Sequence, residues 1–279
     1  MNRRRLLAGL GAGATVGIAG CSSDDAANGG DGGTGPDRPF GDAAWRDGEG
    51  LVLDTLAESH VQRFVDAGGF TLFSTAETSH DGDVEPTPWL PSQTYESGYD
   101  LKNGRQYLKQ ELGDAAGGAA TELFIVDGEV LLRRQSDGET QYDRQSPDDS
   151  ESDLEAAMRQ EALTGLRVGS ETASERTRYE GLNQLNVTSD GGGRIRDEAT
   201  ARFTADRFDG DRGVPETVET AAATVHVYAA GVVPRLEQSW AGRHDGQEAR
   251  VDVDIDYRDP GAEIAVPEWV ADAREATSE

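Results

Sequence analysis

A single cysteine, Cys21, serves the whole 279-residue chain. That excludes an internal disulfide, a thiolate zinc site and a cysteine nucleophile further along the sequence. Lysine is nearly as scarce: of 26 basic residues only Lys102 and Lys109 are lysines. Tyr99 and Gln106 stand three residues before them, so the S-x-x-K arrangement of a lysine-activated serine does not occur. No serine sits in G-x-S-x-G. The four histidines, His60, His80, His226 and His244, form no H-E-x-x-H and lie far apart. Aromatic residues are 6% of the chain and hydrophobic residues 35%, enough for one modest core together with segments that bury little. No apolar run reaches the roughly 20 residues of a membrane-spanning helix. The expectation is a protein with no catalytic residues, no metal site and no cofactor.

Acidic residues supply the opposite extreme, with 53 Asp and Glu setting the formal charge at −27. Such a field repels phosphate backbones and anionic lipid surfaces, which excludes nucleic acid as a partner and disfavours electrostatic docking on a membrane. An acidic, lysine-poor surface resembles that of halophile proteins, where concentrated salt shortens the Debye length to roughly 3 Å at 1 M and screens the self-repulsion. With this many carboxylates any close pair is matched by chance, so none is read as an acid–base couple.

Residues 1–20 join Arg3, Arg4 and Arg5 to an uncharged, glycine-rich stretch from Leu6 to Gly20, the layout of an export signal. Arg3-Arg4 followed by Arg5-Leu6-Leu7 resembles a twin-arginine signal, whose route exports folded proteins, and Ile18-Ala19-Gly20-Cys21 resembles a lipobox. These imply recognition at Arg3 and Arg4, and lipidation at Cys21 after cleavage. Gly9, Gly11 and Ala14 also fit G-x-G-x-x-A, but no strand precedes them and the match is accidental. Residues 21–50 are rich in Gly, Asp and Ser and read as a flexible acidic tether, 51–270 as the folded domain, and 271–279 as a polar tail.

Within the domain, Leu53, Leu56, Ala57, His60, Val61 and Phe64 follow helical spacing, and Gly68-Gly69 supplies a stop, which predicts a helix over about 50–67. Ser152 and Glu155 in capping-box spacing, followed by Leu154, Ala157, Met158 and Ala162, predict a second, short helix. The remainder reads as strands, beginning with Phe70–Thr78 and turning at Asn103-Gly104, Asp127-Gly128, Asp137-Gly138 and Asp245-Gly246. Asp81–Pro91, Ser146–Ser150 and Thr188–Gly193 read as loops. The fold class is α+β: one curved antiparallel sheet, an incomplete β-barrel wrapped over helices.

Three stretches carry a family resemblance: HVQRFVDAGGFTLFSTAET (60–78), YDLKNGRQYLKQEL (99–112) and VHVYAAGVVPRLEQSW with ARVDVDIDYRDPGAEIAVPEW (225–269). Behind a lipobox and tether, this order resembles haloarchaeal lipoproteins with a LolA/LppX-like domain. The resemblance implies an incomplete barrel whose apolar hollow carries a lipid or acyl chain, with no catalytic motif to transfer. Candidate lining residues are Phe70, Leu72, Phe124, Val126, Val225 and Val227.

Two further patterns bear on metal binding and modification. Asp252, Asp254, Asp256 and Glu263 occupy positions 1, 3, 5 and 12 of a calcium loop, but Tyr257 stands where glycine is required, and the alternation with Val251, Val253 and Ile255 is that of a half-buried strand. Asn186-Val187-Thr188 is an N-x-T sequon, making Asn186 a candidate glycosylation site. Two functions remain open. One is a lipid-anchored protein on the extracytoplasmic face of the cell membrane that binds or carries an apolar ligand. The other is a non-catalytic structural lipoprotein that docks on another envelope protein. A solute-binding subunit with two α/β lobes is the weaker third, because the domain is short and rich in hairpins.

Overall fold

The computed structural model describes residues 39–80, 92–114, 117–145, 153–166, 181–208, 217–244 and 246–278. The expectations placed on Arg3, Arg4 and Cys21, and the loops read at 81–91 and 146–150, lie outside these residues. In chain order the elements are β1 (Arg46–Asp47), β2 (Gly50–Leu51), α1 (Leu53–Ala67), β3 (Gly69–His80), β4 (Gln93–Asp100), β5 (Arg105–Leu112), β6 (Ala120–Val126), β7 (Glu129–Ser136), β8 (Glu139–Gln145), α2 (Leu154–Glu161), β9 (Thr188–Ile195), β10 (Glu198–Ala205), β11 (Thr217–Tyr228), β12 (Arg235–His244), β13 (Gln247–Arg258) and α3 (Trp269–Ala276).

Strands β3 to β13 form one antiparallel sheet in the order β8-β7-β6-β5-β4-β3-β13-β12-β11-β10-β9. Each arm is a meander of neighbouring strands, and the arms meet where β3 pairs with β13, from Thr71 opposite Arg258 to His80 opposite Ala249. β8 and β9 are the two edges and do not pair, so the curved sheet stays open. Single-sided burial sets its register. In β13, Val251, Val253, Ile255 and Tyr257 are buried while the aspartates between them keep solvent contact, the period of two that a one-residue slip would invert.

α1 lies against this inward face through Leu56, Ala57, His60, Val61 and Phe64. It stops at Gly68, whose φ of 82° is open to glycine and whose N–H bonds the Val65 carbonyl at 3.0 Å. Gly69 follows because a Cβ there would fall 2.1 Å from the Tyr99 carbonyl of β4. α2 begins at Asp153, whose carboxylate accepts the Ala156 N–H at 2.9 Å. The N-cap is therefore one residue after Ser152, and an ionised acceptor beside the positive helix end suits the role.

Several boundaries differ from the sequence reading. Residues 39–50 are part of the folded domain: Trp45 is 3% exposed, packs edge-on against Phe203 and donates its indole N–H to the Ala229 carbonyl. Arg46 fixes the same segment through Pro39 O, Gly48 O and Ser189 Oγ. Residues 271–276 belong to α3, with Ala273 fully buried, so the polar tail is shorter than the composition implied. Thr188–Gly193 is no loop but most of edge strand β9. Its glycines admit close neighbours, since a Cβ at Gly193 would meet His226 Cε1 at 3.1 Å and Thr200 Oγ1 at 3.2 Å. Asn103-Gly104 does not make a two-residue turn. Four residues connect β4 to β5, held by the Asp100 carboxylate, which accepts Asn103 N at 3.0 Å, Asn103 Nδ2 at 2.7 Å and Ile264 N at 3.2 Å. At Asp127-Gly128 and Asp137-Gly138 both residues have positive φ, as a type I′ hairpin requires.

Candidate functional site

Cross-strand register separates the six residues nominated for an apolar hollow into two groups. Phe70 and Leu72 on β3 join Val225 and Val227 on β11 in the main core, together with Leu56, Val61 and Phe64 of α1 and Met158 of α2. Phe124 and Val126 belong elsewhere. They pack with Leu131 of β7 and with Trp269, Val270 and Ala273 of α3, while their neighbour Leu123 joins Leu108, Val130 and Leu132 in a third cluster. Since successive side chains alternate across a strand, Phe124 and Val126 point to the outer face and cannot line the hollow with the other four. The physical reason is that β6 is buried on both faces, so its continuous run Leu123–Val126 gives no sign of which side is inward.

The four inward residues have no accessible surface at all. Neither solvent nor a water-sized void touches Phe70, Leu72, Val225 or Val227, so the apolar face is sealed in this state. The seal differs in strength along the face. α1 is fixed by five buried side chains, among them His60, whose Nδ1 accepts the Val233 N–H at 3.0 Å and whose ring meets Phe64 and Tyr257 edge-on. α2 has one buried residue, Met158, and a polar attachment at its end.

That attachment is the Glu161 carboxyl. Its Oε1 accepts from Ser97 Oγ of β4 at 3.3 Å, and Tyr95, Tyr99 and Tyr257 surround it. Gln106 Nε2 donates to Tyr99 Oη at 2.9 Å, and Tyr257 Oη donates to the Thr164 carbonyl just beyond α2. Part of the Glu161 surface remains accessible, yet the carboxyl is enclosed by enough protein that desolvation raises its pKa, with the bonds from Tyr95 and Ser97 acting the other way. Burial first, then the nearby Glu161 charge, lifts Tyr99 and Tyr257 well above the ordinary phenol range. The sequence reading passed over this cluster. Its signal is the alternation Tyr95-Ser97-Tyr99, which places three polar groups on the buried face of one strand.

The other nominated residues are dispersed. Asn186 is exposed beside the bridge between Leu185 and Phe208. Asp252, Asp254 and Asp256 project from the outer face of β13. Arg250 holds Asp252 at 2.7 Å, Arg235 holds Asp254 at 2.7 Å, and Arg196 and Arg258 hold Asp256. On the same outer face lies a groove of about 410 Å³ lined by Thr75, Glu77, Glu237, Ser239, Asp252 and Asp254. Its carboxylates suit a hydrated surface, not an alkyl chain. Among the described residues no three His, Cys, Asp or Glu side chains come together to hold a metal ion, and no helix is long and apolar enough to cross a membrane.

No family model and no curated protein matches the chain. Among solved structures it is similar to a LolA superfamily protein from Nitrosomonas europaea, at 9% identity and a TM-score of 0.23 over 79% of this chain and 97% of that one. It is similar to a putative outer membrane lipoprotein-sorting protein domain from Vibrio parahaemolyticus, at 9% identity and a TM-score of 0.24 over 79% and 98%. A DUF1329 family protein from Desulfovibrio piger gives 11% identity and a TM-score of 0.26 over 78% and 95%. At these values the likeness assigns no function.

Proposed function

We propose that the chain is a lipid-anchored extracytoplasmic protein, without catalytic activity, that binds a lipid or other apolar ligand between its open LolA/LppX-like sheet and the helices laid against it. The observation that carries this reading is the uneven cover of the inward face. An apolar surface spread over β3 and β10 to β13 is closed by two helices, the short β1–β2 pair with Trp45, and irregular chain. α2 adds one fully buried side chain, Met158, the partly buried Leu154 and Ala157, and one hydrogen-bonded carboxyl to that cover. An element with so few buried contacts opens at a lower cost than the sheet beneath it. Opening would uncover the part of the inward face beneath Met158, where a ligand gains about 25 cal/mol per Å² of apolar area covered, before ordering costs. Support for the anchor is the sequence Ile18-Ala19-Gly20-Cys21 behind Arg3-Arg4.

The zero exposure of Phe70, Leu72, Val225 and Val227 favours a second reading, a scaffold whose interior is filled by its own side chains and whose surface docks on another envelope protein. Lipid extraction separates the two. The protein, purified from its own membrane in concentrated salt, is expected to release a stoichiometric lipid detectable by mass spectrometry. Clean protein under every salt condition would leave the scaffold.

A further inference from the structure

Across the inward face runs a row with three alanines, Ala205–Ala223–Gln238–Val253–Ala76, each residue opposite the next on β10, β11, β12, β13 and β3. The row beside it is bulky, with Phe203, Val225, Leu236 and Ile255 in register. The row therefore forms a shallow trough, and Gln238 is the polar residue within it. Gln238 is 3% exposed, and neither its Oε1 nor its Nε2 has a hydrogen-bond partner. Two positions along the same face of β12, Trp240 is fully buried with an unpartnered Nε1 donor.

The chain that covers this end of the face supplies a third such group. Phe208 meets the Trp240 ring edge-on at 5.7 Å and bridges Leu185. The residue before Leu185 is Gln184, 6% exposed, whose Nε2 is also unpartnered. Gly165, whose carbonyl accepts the Leu182 N–H, sits so close to the bulky row that a Cβ there would fall 2.5 Å from Ile255 Cδ1. Buried amides and indoles are almost always paired, and leaving one unpaired costs the full desolvation of the group. Gln238 and Trp240 share one face of β12, and Gln184 lies in the chain that crosses the Trp240 end of that face.

We infer that the alanine trough with Gln238, Trp240 and Gln184 is a binding subsite for the ester or amide carbonyl at the head of an acyl chain. The complement of the site decides the chemistry. It offers three donor nitrogens and one carbonyl acceptor. Among the described residues the main core around this row is apolar, with Ala76, Ala205, Ala221, Ala223, Val251 and Val253 among its members and no cation. A carboxylate or phosphate would be desolvated there without a counter-charge, whereas a neutral carbonyl exchanges its water for the waiting donors and keeps its alkyl chain on the apolar face.

This inference rests on the apolar-ligand reading, and the test keeps the two apart. Methyl laurate and pentadecane, equal in non-hydrogen atoms, compete with a neutral naphthylamine dye for the full chain in concentrated salt. The wild type is expected to prefer the ester by about tenfold, the worth of one or two buried hydrogen bonds. Gln238→Met and Gln184→Met, which keep side-chain length without the amide, are expected each to reduce that preference severalfold, with pentadecane affinity and melting temperature unchanged or raised. Equal affinity for ester and alkane in the wild type, or an ester preference that survives in whichever variant folds, overturns the subsite and leaves amides satisfied by buried water or by packing. Binding of neither compound overturns the apolar-ligand reading, and the acyl subsite with it.

Discussion

The backbone N–H of Val233 donates to His60 Nδ1 at 3.0 Å, joining the middle of α1 to the turn between β11 and β12. The bond fixes the tautomer, since an accepting Nδ1 leaves the proton on Nε2. Gly231 in that turn is as constrained as the histidine: its φ is 77°, and a Cβ would stand 2.7 Å from Ser59 Cβ on α1. Sequence spacing placed His60 on the buried face of the helix, but nothing in the spacing showed that a turn 173 positions away supplies its partner.

Burial lowers the His60 pKa from 6.5 to about 3, the Ala162 carbonyl opposing only in part, and its Nε2 reaches no acceptor in hydrogen-bond geometry. The folded state therefore holds the ring neutral while the unfolded chain takes up a proton below 6.5. This contribution to stability is complete above pH 6.5 and is lost as pH falls toward about 3. His60→Leu is expected to cost about 1 to 3 kcal/mol near neutrality by orphaning the Val233 N–H. It is also expected to flatten the acid side of the stability curve, read as the difference between urea midpoints of variant and wild type across pH.

Glu161 has the opposite sign. Its raised pKa means that the folded state favours the neutral carboxyl, so docking of α2 is firmest below the ordinary glutamate value of 4.5 and weakens as pH rises through the folded value. Hydrogen-exchange protection of 154–161 is expected to fall across that window in the wild type and to stay level in Glu161→Gln. Parallel curves for the two proteins would assign the loosening to another group.

α3 is clipped to the outer face by Trp269, whose Nε1 donates to Glu122 Oε2 at 2.7 Å while Arg133 pairs with Glu122 and lies 5.6 Å over the indole. Trp269→Ala is expected to remove about 3 to 5 kcal/mol of that docking. It uncovers Phe124, Val126 and Leu131, so concentration-dependent association should appear in light scattering in strong salt.

Leu72→Ala and Val227→Ala each delete methyl groups from positions with no accessible surface, and each is expected to lose about 2 to 4 kcal/mol in urea unfolding. Losses under about 1 kcal/mol at both would mean that these side chains border a space already open.

Cys21→Ser is expected to move the protein from the membrane to the soluble fraction or to stall its processing, and Arg3 and Arg4 replaced by Lys to accumulate precursor inside the cell. Normal processing and salt-resistant membrane attachment of the Cys21→Ser protein would overturn the anchor.

Strand alternation made most of the sheet legible. Val251–Tyr257 and the turns at Asp127-Gly128 and Asp137-Gly138 needed only local periodicity and positive-φ chemistry. β9 was lost because Ser189–Gly193 has almost no strand propensity, and it is a strand only because β10 offers it a ladder and His226 and Thr200 need the space above Gly193. Trp45 was lost to composition: the Gly- and Asp-rich residues around it outweighed one aromatic side chain that packs on Phe203. The residues nominated for a hollow were legible as buried and apolar but not in facing, because β6 is buried on both sides. The Glu161 cluster depends on α2 reaching back to β4, a tertiary contact that no local pattern records.

The β3–β13 pairing has a kinetic meaning as well. It joins residues about 170 to 190 positions apart, the most non-local ladder in the sheet, while every other ladder links strands adjacent in sequence. Each meander can assemble by short loop closures, but the longest pair of strands has to wait for the other half of the molecule, so the middle of the sheet closes last. Until then β3 and β13 are unguarded edges, twelve residues each and apolar on one side. A fold whose final step is the closing of its own centre is most exposed to misassociation just before it is complete.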